Sequence, residues 1–129
     1  IEGLAKVKSN IDSGVFAAIQ RAGAAALDNY EKHINNVIKI YEGRRDILVD
    51  GLNAVGWNVQ KPKATFYVWT KVLARYTSAT FASALLEKAD IVVTPGNGFG
   101  EHGEGYIRMA LTVDKNRLKE AVERIRKRL

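Results

Sequence analysis

The chain contains no cysteine, only two prolines, two histidines and one methionine among its 129 residues. Without thiols it can form neither a disulfide nor a thiolate metal site, and such a composition fits a reducing compartment, so a cytoplasmic location is expected. The two histidines, His33 and His102, lie far apart and do not make a metal set. No apolar run approaches the roughly 20 residues that a membrane helix needs. The opening residues, Ile1-Glu-Gly-Leu-Ala-Lys, lack the basic and then apolar pattern of a signal peptide, so no membrane partner is expected. A chain that opens on Ile rather than Met reads as a fragment or a processed product. No Ser-His-Asp arrangement stands out, because the serines fall in turns and caps.

The net charge is +6. Its distribution argues against a nucleic-acid partner. Residues 115–129 hold seven Lys/Arg and two Glu, whereas the first 114 residues are nearly balanced. The excess is one helix face, and no interleaving of aromatic and basic residues marks a base-stacking platform.

Periodicity gives the elements. Residues 1–14 read as a lead-in ending in turn formers, with Asp12 or Ser13 available to cap the Ala-rich helix 15–27. A break near Asp28-Asn29 precedes a long helix, 30–54, whose stripe of Ile34, Ile38, Tyr41, Arg45, Leu48 and Leu52 keeps helical spacing. At about 1.5 Å per residue it is longer than a compact domain of this size needs. Gly56 is the expected stop. Trp57–Gln60 reads as an edge strand and 64–72 as a β-branched and aromatic strand, whose Phe66, Tyr67 and Trp69 read as sheet packing. Thr77 or Ser78 caps a helix to about Lys88. Residues 91–94 and 106–113 are strands, and Asp114 caps a last helix with the stripe Leu118, Ala121, Val122, Ile125 and Leu129. The order predicts an α+β fold: a small, mostly antiparallel sheet with helices on one face.

Chemistry concentrates in residues 95–112, a loop with five glycines that runs into a strand. The loop follows a strand, as a phosphate cradle does, but leads to another strand rather than to a helix N-terminus. It also carries Glu101 and Glu104, which repel phosphate. Alternation puts Ile107, Met109, Leu111 and Val113 on a core face and Tyr106, Arg108, Ala110 and Thr112 on the other. Arg108 is therefore either a surface arginine paired with Glu101 or Glu104, or a planar fork that receives a carboxylate.

Together these segments resemble class I/II aminotransferases, which use pyridoxal 5′-phosphate. Ser9-Asn-Ile-Asp-Ser-Gly14-Val-Phe-Ala-Ala-Ile-Gln20 resembles the stretch downstream of the cofactor lysine. Ala64-Thr-Phe-Tyr-Val-Trp69 resembles a small-domain strand. Pro95-Gly-Asn-Gly-Phe-Gly100 with Gly105-Tyr-Ile-Arg108-Met-Ala-Leu-Thr112 resembles the substrate-carboxylate motif. The likeness covers essentially the whole chain and is strongest to LL-diaminopimelate or aspartate-like enzymes.

The resemblance implies a C-terminal small domain at 30–129, preceded at 1–29 by a helical segment from the large-domain side. It implies that Arg108 pairs with the substrate α-carboxylate and that Asn10 lies in a segment reaching the neighbouring subunit's site. The implied partners are amino-acid and 2-oxo-acid substrates and further copies of the chain, as a homodimer or higher oligomer. The Schiff-base lysine, the aspartate on the pyridine nitrogen and the phosphate cup have no counterpart in this sequence. Lys6 and Lys8 stand too close to the Ser-Asn segment to be that lysine. Pyridoxal phosphate is thus expected in the full-length parent, none on this chain, and no catalysis from it alone. The alternative reading is a free-standing interaction module that uses its basic C-terminal helix.

Overall fold

The structure, a computed structural model, describes residues 1–12 and 14–129. Among these, five α-helices and three strands follow in the order α1 (Glu2–Ile11), α2 (Ala17–Asp28), α3 (Tyr30–Ala54), β1 (Tyr67–Lys71), α4 (Ser78–Ala89), β2 (Thr94–Pro95), β3 (Tyr106–Ala110) and α5 (Lys115–Arg128). Two 3-10 turns, Gly96–Phe99 and Glu101–Gly103, join β2 to β3. The fold is α+β. The residues form two compact units, Ile1–Val37 and Ile38–Leu129.

In the first unit the lead-in carries helix α1. It is held by local contacts: Lys8 Nζ lies 2.6 Å from the Asp12 carboxylate, an i,i+4 pair. That carboxylate also accepts from Gly14 N–H at 2.8 Å. Lys8 and then Gly14 hold the Asp12 carboxyl below its ordinary range. Asp12 is thereby used at the end of α1 and does not cap α2, whose N-cap is Phe16 without a side-chain bond. Ser13, the other expected cap, lies outside the described residues. Neither α1 nor α2 buries a residue, and Leu4, Ile11, Phe16 and Leu27 are exposed.

In the second unit the three strands order as β1-β3-β2, all antiparallel. One sheet face carries Val68, Thr70, Ile107 and Met109, all buried. It packs with Leu48, Val49 and Leu52 of α3, Phe81 and Leu85 of α4, and Leu118, Val122 and Ile125 of α5. Phe81 is fully buried, with its ring edge-on to Trp57 at 5.1 Å. Gly51 lets α5 approach α3, since a Cβ there would stand 2.7 Å from a Val122 methyl.

Several boundaries differ from expectation. Trp57–Gln60 is not a strand. Trp57 and Val59 are buried, and the Asn53 side chain clasps Val59, accepting from its N–H at 2.7 Å and donating to its carbonyl at 3.0 Å. Side-chain bonding thus replaces a ladder. Strand β2 keeps only Thr94 of the expected 91–94 and adds Pro95, and Val92 is 82% exposed. Strand β3 stops at Ala110, and Val113 leaves the core face to be exposed. Thr77 caps α4 in a reciprocal box with Thr80, and Asp114 caps α5 through the N–H groups of Asn116 and Arg117. No helix among the described residues is long and apolar enough to cross a membrane.

Candidate functional site

The sheet face opposite the core shows what alternation put there. Antiparallel pairing sets Trp69 across from Arg108, Tyr67 across from Ala110, and Lys71 across from Tyr106. Cross-strand and diagonal neighbours on one face are within reach of long side chains. The methyl of Ala110 leaves open the space into which Arg108 extends, and its guanidinium carbon lies 4.2 Å from the centre of the Tyr67 ring. The same carbon lies 4.6 Å from the Phe99 ring centre, so the cation touches two aromatic rings. Trp69 stacks on Tyr106 at 5.5 Å and meets Phe99 edge-on at 5.6 Å. None of the aromatic run read as sheet packing joins the core cluster. Val68 enters the core, while Tyr67 and Trp69 form a shelf beside Arg108.

Neither acid that could have neutralised Arg108 pairs with it. Glu104 accepts the Ser78 N–H at 2.8 Å and the Gly105 N–H at 3.0 Å. Ser78 first and then Gly105 hold its carboxyl below the ordinary range. Glu101 lies 3.6 Å from His102 at the surface. Among the described residues the Arg108 guanidinium makes no ion pair. It is half-buried against rings, with its N–H edge uncommitted. A planar fork in that condition has the geometry and charge to take a carboxylate.

The glycine loop is fixed by backbone contact. Gly96 and Gly103 pack directly on one another, and a Cβ on either would collide with the other's carbonyl. A Cβ on Gly96 would also stand 2.7 Å from the Tyr106 carbonyl oxygen. The buried hydroxyl of Ser78 donates to the Gly103 carbonyl at 3.2 Å and accepts from the Tyr106 N–H at 3.1 Å. Loop amides are spent internally: Gly100 donates to Asn97, Gly103 to Gly100 and Glu104 to Glu101. Those three amides are not offered to a phosphate.

Asn10, the other expected site residue, lies on α1 in the first unit. Its side-chain amide donates to the Lys6 carbonyl at 2.7 Å. The Ser78 bridge and the rings of Tyr67 and Phe99 were not read from the sequence as parts of a site. Tyr67 could be assigned to the Arg108 face only once the β1–β3 register was known. Ser78 acts across 25 positions, which no local pattern reports. No cluster of metal-ligating side chains occurs among the described residues.

The chain is similar to known proteins along nearly its whole length. The chain is 56% identical over 127 residues to an LL-diaminopimelate aminotransferase of Moorella thermoacetica, covering 98% of this chain and 33% of that protein. It is 52% identical over 126 residues to one from Halothermothrix orenii, covering 98% and 32%. Among solved structures, that of apo-BacF from Bacillus subtilis superimposes with a TM-score of 0.87 at 34% identity, over 98% of this chain and 33% of that one. The chain thus spans about a third of the length of the relatives it matches. The family model described as aminotransferase class I and II matches residues 1–125. A match that runs through all but the last four residues leaves one assignment: the chain belongs to the class I and II aminotransferase family.

Proposed function

We propose that this chain carries the small domain of an LL-diaminopimelate-type aminotransferase and that Arg108 receives the α-carboxylate of the amino-acid substrate. The observation that carries the proposal is the half-buried guanidinium held against two rings with no carboxylate of its own. The parent exchanges amino groups between amino acids and 2-oxo acids. Residues 30–129 form its small domain, which closes over the cofactor site, and residues 1–29 belong to the large-domain side. Asn10 serves the neighbouring subunit's site in a homodimer or higher oligomer.

The residues present do not fit pyridoxal phosphate. A Schiff-base lysine must lose its proton easily, and a desolvated pocket or a nearby cation brings that about. Here every lysine among the described residues is exposed, Lys61 is held charged by Asp50 and Asp46, and Lys8 pairs with Asp12. Three of the glycine loop's amides are already bonded within it, and Glu101 and Glu104 add negative charge that opposes a phosphate there. The rest of the parent must hold the cofactor, and this chain supplies substrate recognition.

Charged hydrogen bonds of this kind are worth about 2–3 kcal/mol. In the full-length parent, Arg108→Lys should raise KM for the amino donor about 30-fold or more. The 129-residue chain alone, assayed beside it, should turn over nothing. An unchanged KM and turnover in the variant would remove Arg108 from the site. Turnover by the chain alone would show that it contains the catalytic lysine.

A further inference from the structure

We infer that Phe99 and Tyr67 are positioning residues: their rings fix the plane of the Arg108 guanidinium and so set its aim at the carboxylate. The inference rests on the reading of Arg108 given above and goes beyond it by saying what orients the fork.

An arginine that receives a carboxylate is commonly oriented by a second acid or by a carbonyl, and each such bond occupies part of its donor edge. Arg108 has neither among the described residues. Its contacts are ring faces, at 4.2 Å to Tyr67 and 4.6 Å to Phe99, both within cation–π range. A ring contact restrains the guanidinium while leaving its N–H edge free. It also adds no negative charge that would repel the substrate.

Each ring is itself held. Tyr67 stands on β1 and packs on Phe66 at 4.4 Å. Phe99 ends a 3-10 turn that starts at Gly96, the residue packed on Gly103, and it meets Trp69 edge-on. Phe99 is 52% exposed and is not part of the core cluster. A large apolar side chain left half in water adds little to stability. Its placement beside the cation is what distinguishes it.

The test uses the full-length parent with Phe99→Leu, Phe99→Tyr, Tyr67→Leu and Arg108→Lys side by side. Loss of one ring should raise KM for the amino donor about three- to tenfold with turnover little changed, the range expected for a cation–π contact. Phe99→Tyr should restore the parent KM, because a phenol ring keeps the π face. In the 129-residue chain, the Arg108 side-chain NεH proton should resonate upfield of the other arginines through the ring currents. It should move back toward them in Phe99→Leu. The NMR arm also shows whether each variant folds, and Tyr67→Leu carries the test should Phe99→Leu unfold. A KM that rises in Arg108→Lys but stays unchanged in both ring variants would overturn the clamp and leave carboxylate binding intact. A KM unmoved in all variants would overturn the carboxylate reading itself. An NεH resonance that Phe99→Leu does not shift would show that the ring does not face the cation.

Discussion

The Glu104 carboxylate is a structural acid at the edge of the site. It accepts two backbone N–H groups, one from the first turn of α4, and they depress its pKa. A depressed carboxylate pKa stabilises the fold above the unfolded-state value, about 4.3 for glutamate, and that stability is lost as pH falls through the lower folded value. Glu104→Gln should therefore lower the melting temperature most near neutral pH, and the gap from the parent chain should close below about pH 4. Thermal melts across this range measure it, and a gap constant with pH would mean that Glu104 does not titrate with folding. Much at this scale was legible. Alternation alone placed Arg108 off the core face, because strand geometry leaves no other choice. Its partners were not legible, because sequence proximity suggested Glu101 and Glu104. The nearest available acid is not the chosen contact once backbone amides compete for it.

At the scale of elements, the glycine loop separates two uses of glycine. Gly100 and Gly105 have φ of 113° and 80°, backbone angles that favour glycine. Gly96 and Gly103 are required instead because two backbones touch. Gly103→Ala should cost about 3 kcal/mol, as overpacking does, whereas Gly98→Ala, facing open space, should change stability by less than about 1 kcal/mol. Urea unfolding of both variants checks the contrast, and equal losses would contradict the contact. Helices α3 to α5 were found nearly to the residue because caps and stripes are local signals. The short strands were not, because strand length depends on partners: β2 persists only where Thr94 and Pro95 meet Arg108 and Ile107.

At the scale of the whole molecule, the periodic stripe on α3 is buried only at its C-terminal end, at Leu48 and Leu52, whereas Ile38 is 45% exposed. Periodicity tells which side of a helix is apolar and is silent about what covers it. The first unit carries this further, with Leu4, Ile11, Phe16, Ile19 and Leu27 all more than 60% exposed. Apolar area of that kind favours association, so light scattering at high concentration should show an oligomer. A strictly monomeric chain would contradict this. The basic last helix is less free than its composition suggests. Arg124 donates to the carbonyls of Ala89 and Asp90 at 3.3 Å, and Arg128 to that of Lys88 at 3.0 Å. Two of its cations thus cap the C-terminal end of α4, where the helix dipole favours positive charge.

The Ser78 bridge has a mechanical consequence. One hydroxyl ties the first turn of α4 to the glycine loop and to the start of β3, with no slack between them. Helix, loop and strand are thereby pinned at one atom, two positions along β3 from Arg108.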